Sequence, residues 1–463
     1  MHEGSSSPDV STAASPFVAA DRVPPVGTPT RAIVGDIARL AAPTSLIAVM
    51  QAGAQLIETW LAARQGTTAL AGWAVVLPFA LLLQQMSAGA MGGGVVSAIA
   101  RALGAGRREE ASTLVLHALL IAVTAGLAFA LVLAGFPRPV LGAVAGPDAA
   151  EAAALYAVWL FGVGAVPAWL ANTLASVLRG GGRHALAARV LGAMWLAFPG
   201  LAWWLAEPVG MGLPGIGAAL AAVSWAAALT MAAVVMRGGA GFVPALRARP
   251  SGTMFARILS VGLVACALAS VANLTTILVT AQLRHHGTSA VAAYGISARL
   301  EFLMIPLAFG VGSALTALVG RAVGAGDWLT ARRTAWTGAL LALGLAGAVG
   351  IAVSLAPDGF AKAFTQDAEV AAIAARALSW VGPAFGGFGL GMALYFASMG
   401  AGRMRWPIAA GLSRIGLAVG GGWCLANIAG MGIDGHFLGV ALGITAYGVV
   451  TAMGVRPGAW SAR

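Results

Sequence analysis

The sequence predicts an all-α, polytopic membrane protein with about 12 transmembrane helices arranged as two pseudo-symmetric six-helix lobes around a central cleft. Composition is the first reason. Of 463 residues, 59% are apolar and 9% are charged, with a mean hydropathy of +0.87, whereas a soluble domain uses about 25% charged residues to solvate its surface. The second reason is that apolar stretches long enough to cross a hydrocarbon core of about 30 Å recur from about residue 40 to the end. The third is an internal repeat that divides the chain in two.

Gly, Pro and charge clusters cut the apolar region into spans at approximately 40–63, 68–99, 112–135, 151–178, 184–206, 213–236, 254–283, 288–319, 334–356, 371–399, 406–429 and 435–455. Residues 1–38 read as a disordered cytoplasmic tail, because the Ser- and Pro-rich start has no apolar run of signal-peptide length. The first span, with Pro43 in its first turn, then acts as the insertion signal. Residues 39–237 form an N-lobe, 238–253 a cytoplasmic linker carrying Arg247, Arg249 and Pro250, 254–456 a C-lobe, and 457–463 a terminal tail.

A net charge of +11 would suggest nucleic acid as partner for a soluble chain. Here the basic residues sort by loop. With the amino terminus inside, 20 of the 27 fall on the cytoplasmic side and 5 outside, while Arg299 and Arg414 lie within spans. Such asymmetry places both termini in the cytoplasm and makes most of the charge topological, leaving no call on nucleic acid. Cys266 and Cys424 sit in apolar segments as small hydrophobes, at no metal or disulfide spacing.

The repeat has a spacing of about 220 residues. Arg101-Ala102-Leu103-Gly104-Ala105-Gly106 returns as Arg321-Ala322-Val323-Gly324-Ala325-Gly326, and Gly66-Thr67-Thr68-Ala69 as Gly287-Thr288-Ser289-Ala290. Gly182-Arg183 matches Gly402-Arg403, and Gly215-Ile216-Gly217 approximates Phe437-Leu438-Gly439. An offset of six helices gives both halves the same topology, the parallel kind of repeat.

Two six-span halves, each with a Gly-Ala-Gly turn after its second span, resemble the multidrug and toxic compound extrusion family from about residue 34 to 455. Glu58-Thr59-Trp60 with Gly66 and Ala69-Leu70-Ala71, Leu178-Arg179-Gly180-Gly181-Gly182-Arg183, and Ala298-Arg299-Leu300-Glu301 are similar to family motifs. One departure is Glu58, where members often carry Asp. The resemblance implies that Glu58 is the coupling carboxylate of a transporter.

The residues themselves point the same way. Glu58 and Glu301 are the acids that lie well inside spans, where a charge costs roughly 2.5–3.5 kcal/mol on insertion scales and so marks a functional candidate. Thr44, Gln51, Gln55 and Glu58 recur at helical spacing, a stripe expected to face the N-lobe interior. A carboxylate kept from water there can take a proton from one side and release it to the other; the alternative is that Glu58 snorkels to the interface near Arg64. Asn172 and Ser176, one turn apart, either support Glu58 or serve as interhelical glue. In the C-lobe, Asn273, Thr276 and Thr280 form a comparable stripe, but the repeat puts Val279 opposite Glu58, so coupling belongs to the first half. Glu301 is either a second cation-binding acid or half of a structural ion pair, and Arg299, two residues away, points to a different side.

The expected site is therefore Glu58, Gln55, Asn172 and Glu301 for cation coupling, with Gln51, Ser176, Asn273, Thr276, Thr280 and Arg299 lining the substrate cavity. The expected function is secondary active antiport: export of organic cationic or amphipathic compounds in exchange for H+ or Na+, by alternating access. The expected setting is the bacterial inner membrane, with a single chain working in the lipid bilayer on a small-molecule substrate. No cofactor or metal is expected: His285-His286 has no partner at ligand spacing, and the Gly-Ala-Gly turns lack a P-loop ending. Two alternatives are a lipid-linked oligosaccharide flippase, which needs a wide cationic cavity, and an intramembrane enzyme, for which no catalytic cluster appears in the spans.

Overall fold

The computed structural model describes residues 29–145 and 147–460. Among these, eleven helices are long and apolar enough to cross a membrane, and a bent pair makes the twelfth. They are α1 (Thr30–Arg64), α2 (Thr67–Gly104), α3 (Arg108–Leu133), α4 (Ala153–Val163 and Ala165–Gly180, bent by 43°), α5 (His184–Ala206) and α6 (Leu213–Met236) in the first half. The second half holds α7 (Gly252–His286), α8 (Thr288–Gly324), α9 (Trp328–Leu355), α10 (Ala368–Ala401), α11 (Arg405–Asn427) and α12 (Ile433–Met453). The chain is a multi-pass membrane protein with a large hydrophobic core built mainly from α1–α6, which Ile258, Val261 and Ala265 of α7 and Phe396 and Met399 of α10 join, and smaller ones centred on the second half.

Within the N-lobe α1 packs on α5, α5 on α6, and α4 on α3 and α6; within the C-lobe α10 packs on α8, α9 and α12, and α11 on α12. The lobes meet through α1 against α8, α2 against α7, and α2 against α8. The repeat maps the first of these contacts onto the second and the third onto itself, as a pseudo-two-fold axis requires.

Small residues allow that close approach. A Cβ on Gly104 would strike the Arg321 carbonyl, and one on Gly324 the Arg101 carbonyl, so α2 and α8 cross backbone to backbone at their arginine-bearing ends. Gly94 is equally crowded, its Cβ position lying 2.8 Å from the Ile258 carbonyl oxygen and 2.9 Å from the Gly262 nitrogen of α7. Small-residue crossings of this kind replace the missing hydrophobic drive between helices in lipid.

Several boundaries differ from the sequence reading. α1 begins at Thr30 rather than near residue 40, because Ile33, Ile37 and Ala41 recur one turn apart and bury against Ala314, Leu315 and Val319 of the C-lobe. Residues 1–28 of the expected tail, and 461–463 of the terminal one, lie outside the described residues. Trp460 is buried in the same C-lobe core with Ala459 packed partly against it, so the expected terminal tail is anchored there while Pro457 and Gly458 stay exposed. The 238–253 segment is pinned as well, with Ser112 of α3 donating to the Val243 carbonyl and Ala245 N–H to the Ser112 carbonyl. Between α3 and α4 runs a short helix, Pro137–Ala145, where the reading had a loop, and the helix that enters α4 starts at Pro147, ahead of the expected residue 151. A π-helical turn at Val158–Val163 precedes the α4 bend at Gly164.

Candidate functional site

The Glu58 side chain is 7% exposed and points into the N-lobe, not toward the interface. Its Oε1 accepts from the Tyr156 hydroxyl at 2.8 Å and from Trp73 Nε1 at 3.2 Å. Arg64, six residues on, pairs instead with Glu207 at the end of α5, at 2.6 Å. Among the described residues no cation pairs with Glu58, so its charge is met by two neutral donors, in surroundings where an ion costs several kcal/mol to desolvate.

Each partner is placed by its own helix. Trp73 comes from the second turn of α2, and Tyr156 from the first segment of α4, ahead of its π-helical turn. Gly217 of α6 makes room for the tyrosine, since a Cβ there would come within 2.9 Å of the ring.

Glu58 lines a cavity with Gln51, Gln55, Gln84, Asn172 and Ser224, its remaining wall formed by side chains such as Phe161 and Trp195. The cavity measures about 70 Å³. That holds a few waters and is well below the roughly 300–1,000 Å³ of a drug-sized site. In this conformation the N-lobe pocket suits a proton or small ion, not an organic molecule.

The α1 stripe thus reaches one compartment through Gln51, Gln55 and Glu58, while Thr44, farther along, meets His184 Nδ1 at 3.2 Å. Asn172 shares the cavity but does not bond Glu58: its Nδ2 donates to Ser87 Oγ at 2.9 Å and Gln84 Oε1 at 3.3 Å. Ser176 Oγ turns back to the Asn172 carbonyl at 2.8 Å.

The C-lobe residues stand apart from this group. Asn273 Nδ2 donates to the Ala269 carbonyl at 2.9 Å and reaches Gln85 Oε1 of α2 at 3.4 Å. Thr276 and Thr280 hydroxyls bond carbonyls one turn back in α7, at 3.5 and 2.7 Å, the usual way a helix satisfies a hydroxyl in lipid. Glu301 is ion-paired with Arg414 of α11, whose guanidinium lies 5.5 Å from the Phe388 ring centroid and 6.0 Å from that of Tyr447. Arg299 is exposed on α8 and joins none of these.

Tyr156, Trp73, Gln84 and Gln85 escaped the sequence reading. Tyr156 was one of only four tyrosines, and Gln84-Gln85 is a polar pair in mid-span; both were available signals. Their alignment with Glu58 depends on helix packing across 98 and 15 residues, which no local pattern carries.

Two pseudo-symmetric six-helix lobes, each with a buried carboxylate of which the N-lobe's has no cation partner among the described residues, define a two-lobed polytopic membrane protein of the carrier type. The chain belongs to the MatE family, whose model matches residues 43–204 and 263–423. A stretch of 171 residues is 32% identical to the probable multidrug resistance protein NorM of Xanthomonas campestris pv. campestris, and 170 residues are 29% identical to that of Xylella fastidiosa. These alignments span 37% of this chain and of the first relative, and 36% of each for the second. Over nearly the whole chain the fold is similar to the Vibrio cholerae MATE transporter VcmN in its bent form, with TM-score 0.85 and 19% identity over 92% of this chain and 97% of that one. It is similar also to a MOP superfamily transporter from Pyrococcus furiosus, with TM-score 0.84 and 21% identity over 91% and 94%. At such identities these two establish the fold.

Proposed function

We propose that this chain is a secondary active multidrug antiporter, exporting organic cationic or amphipathic compounds in exchange for H+ by alternating access. The observation that carries the reading is Glu58: a lone carboxylate in a small, largely apolar cavity with a few polar side chains, hydrogen-bonded by neutral donors and, among the described residues, with no cation beside it. One proton neutralises such a group. The NorM relatives, named for multidrug resistance, support the substrate class. The charge bias supports a cytoplasmic side for both termini, the bacterial NorM relatives support an inner membrane, and one chain supplies both lobes and the cavity between its own helices.

In the cycle, ionised Glu58 favours a conformation that accepts a cationic compound. Protonation from outside removes that charge, leaves Tyr156 and Trp73 facing a neutral acid, and lowers affinity for the compound. Rocking of the lobes about the α2–α8 crossing then turns the site inward. A membrane potential adds about 2.3 kcal/mol per elementary charge per 100 mV. The flippase reading loses ground, since Arg414 is neutralised by Glu301 and is not available to a pyrophosphate.

The test is dye efflux from proteoliposomes under an imposed pH gradient or Na+ gradient, for the wild type and Glu58→Gln. Stimulation by the pH gradient, abolished in Glu58→Gln, is expected. Stimulation by Na+ alone would replace H+ with Na+, and equal efflux by the two proteins would remove Glu58 from coupling.

A further inference from the structure

The two halves are not the same length where they correspond. From Gly66 to Arg101 the chain advances 35 residues, whereas from Gly287 to Arg321, the matching anchors, it advances 34. The extra residue has a visible location. α2 carries a π-helical turn at Gln85–Ala90, whereas α8 is α-helical throughout Thr288–Gly324. A π turn closes each hydrogen bond one residue later than an α turn, so one inserted residue is absorbed as one widened turn.

That turn begins between two polar neighbours that face different compartments. Gln84 lines the Glu58 cavity and accepts from Asn172; Gln85 faces the lobe interface and accepts from Asn273 of α7. Ser87, inside the turn, accepts from Asn172 as well. The turn is therefore held by the N-lobe on one side and by the C-lobe on the other. Both Gln bonds are long, at 3.3 and 3.4 Å, so each is weak and can be exchanged at little cost.

We propose that the π turn of α2, through Gln84 and Gln85, links the protonation state of the N-lobe cavity to the α2–α7 contact between lobes, with Gln85 as a positioning residue for coupling. The inference rests on the antiport reading above. Glu58 and Tyr156 are the titratable groups of the cavity, Arg64 and Glu207 pair at the far end of α1, and Cys266 of α7 lies beside the Met91 backbone on the interface side. Gln85 and Asn273 do not titrate. They transmit a change made elsewhere.

Two measurements test the link. In proteoliposomes, Gln85→Leu should retain downhill dye movement while its stimulation by a pH gradient falls to a ratio of one, and Asn273→Ala alone should lower the stimulation likewise, as expected for the two halves of one contact. A Gln85→Leu protein stimulated as strongly as the wild type overturns the proposal. If the wild type itself ignores the pH gradient, it is the antiport reading that fails. The second measurement uses no transport. Amide hydrogen exchange in α7 around residues 269–276 should change on Glu58→Gln, and this change should vanish when Gln85→Leu is also present. Unaltered exchange in α7 on Glu58→Gln overturns the link, whatever the flux data give.

Discussion

Arg101 of α2 lies with its guanidinium against Gly402 of the C-lobe, and the repeat partner of that contact is Arg321 of α8 against Gly182 of the N-lobe. Each arginine crosses the interface to rest on the turn that ends a helix of the opposite lobe. Both glycines have positive φ, +69° for Gly402 and +76° for Gly182. They serve two ends: they provide the left-handed backbone of a helix stop and leave open the space where a Cβ would meet the arginine. Arg101 also donates to the Arg257 carbonyl of α7 at 3.5 Å, tightening the same end.

Gly402→Ala therefore adds a left-handed non-glycine residue and a clash with Arg101. A stability loss of roughly 1–2 kcal/mol from the backbone alone is expected, with partial opening of the arginine-bearing end. Thiol labelling of a single cysteine introduced at the buried Ala322, with Cys266 and Cys424 replaced, should accelerate in Gly402→Ala. Unchanged labelling and an unchanged melting temperature would show that the contact does not hold this end closed.

Tyr156→Phe removes one donor from Glu58 and leaves the cavity shape nearly intact. A bond to a carboxylate contributes about 1.5–3 kcal/mol, so a loss of that order in thermal stability and a marked fall in gradient-driven efflux are expected. Gly217→Ala should reproduce part of the defect by pushing the Tyr156 ring. Wild-type efflux in both would separate Tyr156 from the function of Glu58.

Glu301 and Arg414 form a pair whose side chains are 10% and 13% exposed. Removing one partner strands a buried charge, at a cost of about 3–5 kcal/mol, whereas replacing both with apolar residues is often near neutral. Glu301→Leu or Arg414→Leu alone should lower stability strongly, and the double variant should recover most of it along with pH-driven efflux. Recovery of stability without coupling would give Glu301 a share in cation handling.

The asymmetry between lobes yields a fourth expectation. Val279 stands where the repeat aligns Glu58, and it is completely buried. Val279→Glu should create an unpaired buried acid and lower expression or stability, by several kcal/mol of desolvation, without adding a second coupled proton. A measured increase in protons exchanged per dye molecule would contradict a purely N-lobe coupling site.

Composition, charge bias and the 220-residue repeat were enough to establish spans, class and pseudo-symmetry, because lipid imposes one rule on every span: apolar outside, backbone satisfied within. The same physics singled out Glu58, since an acid in mid-span is conspicuous wherever it points. What held it was hidden. Tyr156 and Trp73 reach Glu58 only because α2, α4 and α6 pack at particular angles, and the Arg414 partner of Glu301 lies 113 residues away. The early start of α1 and the burial of Trp460 likewise depend on a C-lobe surface that local periodicity does not contain. Even the widened turn of α2 left a trace in the sequence, one surplus residue between matching anchors; which side each of Gln84 and Gln85 faces was settled only when two lobes closed around that helix, because orientation about a helix axis is a property of its neighbours.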